Sequence, residues 1–165
     1  MKCLYQTSEF VEATMKNPFA KGNMTKMKML LPVSKKEAWK LIATPKGLAS
    51  WFPTRCKGRV LPGRTLEFRW PDGTVENHRV LSVGDASSSI ILDWWKTGKA
   101  AFYLHGREPT HLTLQVTYPP SAKIWQSVEL VGWSFFLSNL KSVAMKGPDL
   151  RNKNPKFSWK KGYID

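Results

Sequence analysis

Cysteine is scarce in this sequence. The chain of 165 residues contains only two, Cys3 and Cys56, which lie far apart and outside any metal-ligand spacing. A chain of this length buries a core large enough to fold without a disulfide. We therefore expect reduced thiols, no metal site and a cytoplasmic location.

Long apolar runs are missing as well. No stretch approaches the roughly 18 consecutive apolar residues of a membrane-spanning helix. The first residues, 1–9, also lack the apolar run that is typical of a signal peptide. We expect no membrane span and no secretory targeting.

Acidic residues are few, 12 against 26 lysines and arginines, for a formal net charge of +14. The excess lies at the two ends: residues 1–64 carry a net +10 and residues 145–165 a net +4, while residues 65–144 are neutral. Such a charge attracts nucleic acid, membranes or acidic proteins. It also serves simply to keep a protein soluble, and the scattered positions favour that interpretation.

Recognisable catalytic motifs are lacking. The three histidines, His78, His105 and His111, fall on predicted strands or strand ends. There is no nucleophile elbow, phosphate-binding loop or dinucleotide fingerprint. We predict no catalytic residue and no cofactor, and an enzyme is the minority interpretation. The polar stretch 76–79 is the one place where an acid–base pair or an arginine would enter a cavity, if its polar side chains face inward.

Aromatic side chains are abundant, among them eight Trp and eight Phe. They bring large apolar areas and specific packing geometries, so we predict a wide core or an aromatic-lined pocket. The remaining composition, 42% hydrophobic and 23% charged, is typical of one globular domain.

The N-terminal part of the chain is predicted to be an extension followed by a strand. Residues 1–23 form the extension in this interpretation, with one short helix near 8–15. Residues 24–33 then alternate between polar and apolar, the pattern of a strand with one solvated face. The domain is therefore predicted to begin at residue 24.

Two short helices are predicted after this strand. Ser34 and Glu37 have the spacing of a capping box, so the first helix begins after Ser34. Pro45 ends that helix, and Thr44 caps a second one that runs to residues 51–52.

Residues 54–119 alternate between strand patterns and turn signals. Pro62-Gly63 suits a type II turn, and Pro71-Asp72-Gly73 is a hairpin signal. Consecutive strands joined by short turns form an antiparallel meander. With the first strand, the sheet is predicted to hold about six or seven strands.

After Pro120 the apolar period changes to that of a helix. Ser121 is a plausible cap, and a helix of about 24 residues would end at Gly147-Pro148. One stripe contains Leu130, Trp133, Leu137, Leu140 and Ala144. An amphipathic helix must bury its stripe, and the sheet is the only large apolar surface available. The pattern therefore predicts an α+β fold over residues 24–146, in which the sheet packs on the long C-terminal helix. Residues 147–165 form a basic, aromatic tail, predicted to dock on the domain.

Short motifs in a fixed order carry a family resemblance. They are the segments 31–39 and 47–52, Pro62-Gly63 with Leu66 and Phe68, Leu92-Asp93-Trp94, and Gly132-Trp133 with Leu137 and Leu140; the tail motif Asp149-Leu150-Arg151, with Lys161-Gly162-Tyr163, also matches. The chain resembles the START-like superfamily, in the branch named after the C-terminal domain of the activator of the heat-shock-protein-90 ATPase. The resemblance covers about three quarters of the chain and implies a helix-grip fold, a curved antiparallel sheet around the long helix.

The resemblance also implies a cleft between the sheet and the long helix, which in the superfamily often holds a lipid, sterol, polyketide or similar apolar molecule. The predicted walls are Trp51, Phe52, Phe68, Trp70, Trp94, Phe102, Leu104, Trp133, Phe136 and Leu137. Asn77, His78 and Arg79 are the candidate polar groups that would orient a ligand. The same bulky side chains also suffice to fill the core completely, and both alternatives stay open.

Four of the matched residues have a predicted packing role. Gly132 is expected to let the long helix approach the sheet closely, with Trp133 filling one end of the space between them. Trp51 and Phe52 are expected to close the opposite end.

The leading functional prediction is a non-enzymatic module that binds an apolar or aromatic, lipid-like small molecule. One alternative is a co-chaperone-like, stress-response module whose basic N-terminal third binds an acidic protein or a chaperone. Another is RNA or ribosome binding through the basic ends, where Phe157, Trp159 and Tyr163 alternate with lysines. A polyketide cyclase-like activity is the enzymatic alternative that the resemblance allows.

Overall fold

The structure is a computed structural model that describes residues 18–164, so Cys3 and the predicted helix near 8–15 lie outside the described residues. The strands are β1 Ala20–Lys21, β2 Met24–Leu31, β3 Arg55–Gly58, β4 Thr65–Arg69, β5 Val75–Val83, β6 Ser89–Trp94, β7 Gly98–His105 and β8 Thr110–Thr117. The helices are α1 Lys35–Ile42, α2 Pro45–Trp51 and α3 Gln126–Ala144. Short 3-10 turns span Asp85–Ser87, Pro120–Trp125 and Trp159–Lys161.

The strands form one antiparallel sheet in the order β1-β2-β8-β7-β6-β5-β4-β3. β2 pairs with β8 from Met24 opposite Thr117 to Leu31 opposite Thr110, which places the first long strand beside the last strand of the sheet. The predicted α+β helix-grip architecture is confirmed. The sheet has eight strands rather than six or seven, because the short strands β1 and β3 extend its two edges.

Both short helices begin where the capping residues predict. The Ser34 hydroxyl accepts from the Glu37 amide at 3.3 Å, and the Glu37 carboxylate accepts from the Ser34 amide at 3.1 Å. The Thr44 hydroxyl accepts from the Gly47 amide at 2.9 Å and caps α2. These local bonds satisfy amide groups that the first turn of a helix leaves without an intrahelical partner.

We expect Ser34→Ala to lower the free energy of unfolding by about 1 kcal/mol, since it removes the N-cap acceptor of α1. Urea denaturation measures this change. Ser121→Ala is the matched control, because Ser121 is exposed and makes no cap bond, and its change should stay within about 0.5 kcal/mol. Equal losses in the two variants would contradict the capping role of Ser34.

The C-terminal helix starts later than predicted. Pro120–Trp125 forms a 3-10 turn, in which the Ala122 amide donates to the Pro119 carbonyl at 2.9 Å, and Ser121 caps neither element. α3 therefore has 19 residues rather than about 24. Its predicted stripe faces the sheet, with Trp133, Leu137 and Leu140 buried in the core. No helix within residues 18–164 is long and apolar enough to cross a membrane.

Candidate ligand-binding cavity

A cavity of about 280 Å³ lies where α3, the β4–β5 hairpin and the C-terminal segment 151–164 meet. Aromatic rings dominate its wall: Phe52, Trp70, Trp94, Trp133 and Phe136 from the domain, and Phe157, Trp159 and Tyr163 from the C-terminal segment. The wall is therefore built jointly by the domain and by the tail that follows α3.

The ten predicted wall residues divide into two equal groups. Phe52, Trp70, Trp94, Trp133 and Phe136 line the cavity. The others are buried in the core and do not line it, namely Trp51, Phe68, Phe102, Leu104 and Leu137. The two interpretations of the aromatic residues thus apply to different members of the set, since half lie on the wall and half fill the space beneath it.

Phe52 is the centre of the aromatic cluster. Its ring stacks on Trp133 with ring centres 4.9 Å apart, and it meets Trp70 and Phe136 edge-on at 5.3 and 4.9 Å. Trp51 stacks on Phe52 from the other side at 5.2 Å. The prediction that Trp51-Phe52 and Trp133 close opposite ends of the cleft is wrong, because they belong to one continuous cluster.

Gly132 faces the tail rather than the sheet. A Cβ at this position would lie 3.2 Å from the Trp159 ring, which is tighter than ordinary contact. The prediction that Gly132 allows close approach of α3 to the sheet is therefore wrong. The missing side chain instead allows the Trp159 ring to approach the helix backbone at the edge of the cavity.

Of the three predicted polar groups, only His78 points inward. Asn77 and Arg79 are exposed on the outer face of β5, so their assignment to the cleft is wrong. Strand alternation places His78 on the same face as the buried Val80, and Asn77 and Arg79 on the opposite face. The His78 ring stacks on Trp94 at 4.5 Å and bonds through Nδ1 to the Asp93 carbonyl at 3.0 Å, without lining the cavity itself.

Glu76, the first residue of the polar stretch 76–79, lines the cavity, although it was not one of the three predicted polar cleft groups. It shares the inward face of β5, and its Oε2 accepts from Trp70 Nε1 at 2.8 Å. His78 Nε2 lies 3.5 Å from the same oxygen. Burial opposes the charged form of Glu76, but donation from His78 and Trp70 outweighs it and lowers the pKa of this carboxyl.

Glu129, in the first turn of α3, is a further cavity carboxylate, and sequence reasoning missed it. It accepts from the indole nitrogens of Trp94 at 2.9 Å, Trp95 at 2.5 Å and Trp133 at 3.4 Å. Burial raises the pKa of Glu129, against the effect of these donors. The i, i+4 spacing of Glu129 and Trp133 was the only signal in the sequence.

The chain is similar to known proteins in structure but not detectably in sequence. No protein-family model and no curated protein sequence matches the chain. A protein of unknown function from Enterococcus faecalis, EF2215, is 21% identical with a TM-score of 0.67 over 87% of each chain. The Aha1 dimer from Colwellia psychrerythraea is 17% identical with a TM-score of 0.63, over 73% of this chain and 95% of that one.

DynU16, from the dynemicin biosynthetic locus, is 18% identical with a TM-score of 0.71 over 81% of this chain, and this chain spans about half of DynU16, 51%. The chain has the START-like fold. At these identities the likeness shows the fold alone, so function must come from the site. In this START-like domain the tail supplies part of the cavity wall, so the contacts that hold the tail also shape the site.

Arg151 attaches the tail to the START-like domain at the C-terminal end of α2. Its guanidinium donates to the carbonyls of Ala49 at 3.0 Å, Phe52 at 3.2 Å and Pro53 at 2.8 Å. It also pairs with Asp149 at 2.6 Å. The bonds satisfy carbonyls that the end of a helix leaves unpaired, directly beside the ring of Phe52 in the cavity wall.

Asn139 completes this attachment from α3. Its side chain is fully buried and donates to the Trp51 carbonyl at 2.9 Å and to Asp149 at 3.1 Å. Its oxygen accepts from the Leu150 amide at 2.8 Å. One buried amide group therefore links α2, α3 and the start of the tail.

A second contact lies at the far side of the cavity. Lys160 donates to Asp72 at 2.9 Å and to the Thr74 hydroxyl at 3.1 Å, which ties the end of the tail to the β4–β5 hairpin. Donation from Lys160 lowers the pKa of Asp72 to about 2. The tail thus meets the domain on both sides of the cavity.

Proposed function

We propose that this chain is a non-enzymatic binding module that holds an apolar or aromatic small molecule in the cavity. The observation that carries the proposal is an aromatic-lined, half-open space of about 280 Å³ between the domain and its own tail. Ligand sites are concave, mostly apolar and furnished with a few polar groups, and their volumes begin at about 300 Å³. The volume favours a compact ligand of one or two rings.

The proposal predicts that an apolar compound raises the melting temperature of the protein, and that Trp159→Ala weakens this effect. Trp159 supplies part of the wall, and its removal opens the cavity beside Gly132. A ligand at 100 times its dissociation constant stabilises the native state by about 2.7 kcal/mol. For a chain of this size that corresponds to a shift of roughly 5 to 10 °C.

Trp125→Ala is the matched control for a thermal-shift screen of lipids and small aromatic compounds. Trp125 is as exposed as Trp159, at 48% against 44%, but stacks on Trp95 outside the cavity. The wild type and Trp125→Ala should respond alike, and Trp159→Ala should respond less. A library that stabilises none of the three, or all three equally, would overturn the proposal. Native mass spectrometry of protein purified from its host then identifies a retained ligand.

The contacts of the tail favour this proposal over nucleic-acid binding. Phe157, Trp159 and Tyr163 line the cavity, and Lys160 pairs with Asp72. These are the rings and one of the cations that stacking on single strands would use. Binding of an acidic protein or a chaperone through the basic N-terminal third stays a prediction.

A further inference from the structure

Of the three carboxylates that line the cavity, Asp72 pairs with Lys160, which leaves Glu76 on β5 and Glu129 on α3. Indole groups hold both of them: Trp70 donates to Glu76, and Trp94 donates to Glu129. In the part of the chain that the structure describes, neither carboxylate pairs with a lysine or an arginine. An indole is a neutral donor, so it orients a carboxylate without cancelling its charge.

The lysines and arginine around the cavity are already engaged elsewhere. Arg151 and Lys153 pair with Asp149, and Lys160 pairs with Asp72. Among the described residues, the cavity carboxylates without a Lys or Arg partner are therefore Glu76 and Glu129. A protein with a net charge of +14 thus turns toward its candidate ligand two carboxylates that no lysine or arginine neutralises, although Glu76 has His78 Nε2 at 3.5 Å.

The same space is surrounded by aromatic rings, among them those of four tryptophans, Trp70, Trp94, Trp133 and Trp159. The face of an aromatic ring attracts a cation within about 6 Å, and tryptophan does so most strongly. Aromatic walls combined with carboxylates are the chemistry that recognises an organic cation. A purely apolar ligand would desolvate both carboxylates without supplying a cation to balance their charge, which is costly.

We infer that the ligand carries a protonated amine on an apolar or aromatic body, with the amine directed to Glu76 and Glu129. This inference rests on the proposed function and names its ligand class. The apolar body packs against the rings, while the ammonium donates to the carboxylate oxygens in charge-assisted hydrogen bonds. A carboxylate on the same body would meet like charge.

Three probes with the same ring system separate these possibilities: naphthylethylamine, naphthylethanol and naphthylacetate, each titrated calorimetrically into the full chain. We expect the amine to bind at least about tenfold more tightly than the alcohol, because one desolvated cation–aromatic or charge-assisted contact has that effect. The acetate should bind most weakly. Glu76→Gln and Glu129→Gln should each reduce the ratio of amine to alcohol affinity severalfold, while leaving binding of the alcohol nearly unchanged.

Glu67→Gln is the matched control, since Glu67 lies on β4 outside the cavity and pairs with Arg69; it should keep the wild-type ratio. Equal affinity of the wild type for amine and alcohol overturns the inference and leaves the proposed function standing. A ratio unchanged in both cavity variants also overturns it. If none of the three probes binds and no apolar compound stabilises the protein, the proposed function itself has failed.

Discussion

Replacing Phe52 with alanine is expected to lower the free energy of unfolding by about 4 kcal/mol, the largest effect that we predict for a single substitution. Phe52 is 3% exposed, and its ring contacts the rings of Trp51, Trp133 and Phe136. Truncation removes its apolar contact area and leaves a void that the surrounding large rings close only in part.

Urea denaturation of Phe52→Ala and of Ile124→Ala tests this expectation. Ile124 is 78% exposed, so truncating its side chain should change the free energy of unfolding by less than about 0.5 kcal/mol. Because Phe52 also lines the cavity, the variant should bind apolar compounds differently even where it remains folded. A loss as small as that of Ile124→Ala would show that Phe52 does not hold the aromatic cluster together.

Replacing Arg151 with alanine is expected to cost about 3 kcal/mol, the lower end of what breaking a buried ion pair costs. The Arg151 side chain is only 8% exposed, and its removal leaves Asp149 without its closest partner and three carbonyls at the end of α2 unpaired. The lower end applies because Asp149 is a quarter exposed and keeps Lys153. Lys153→Ala is the control: its side chain is 55% exposed, so the change should be about 0.5 kcal/mol or less.

The acid limb of the stability curve gives a second readout for Arg151. Burial opposes the charge of Asp149, but donation from Arg151 and Lys153 outweighs it and holds the pKa of Asp149 well below its usual range. A depressed pKa contributes stability that is present above the unfolded value, near 3.9, and is lost as the pH falls below it. We expect Arg151→Ala to lose less stability than the wild type between about pH 5 and pH 2. Parallel curves for the two proteins would contradict the coupling of Arg151 to Asp149.

Local features were predicted with success because the interacting atoms are close in sequence. The capping bonds of Ser34 and Thr44 join residues three apart. Gly63 adopts φ +79°, and the Arg64 amide donates to the Leu61 carbonyl at 3.0 Å, as the turn signal at Pro62-Gly63 predicts. In each case the chemistry of three or four neighbouring residues decides the conformation.

Apart from the late start of α3, where Ser121 caps neither element, the errors concern residues whose neighbours are distant in sequence. Alternation along β5 placed His78 and Arg79 on opposite faces but could not say which face is buried, because that depends on which side of the sheet the long helix covers. Gly132 was assigned to the sheet, whereas its neighbour is Trp159 in the tail. Glu129 was missed because two of its three indole donors come from Trp94 and Trp95, more than thirty residues away.

The sequence by itself determined most of the order of strands and helices, the caps of the two short helices, the turn at Pro62-Gly63, and a long amphipathic helix that must pack on a sheet. Hydrophobic period and local hydrogen bonds contain that information. Only the tertiary structure decided which aromatic residues fill the core and which line a cavity, and that the tail completes its wall. Those outcomes depend on how large rings from separate elements meet in space, and the same bulky side chains are compatible with either arrangement until the elements are packed.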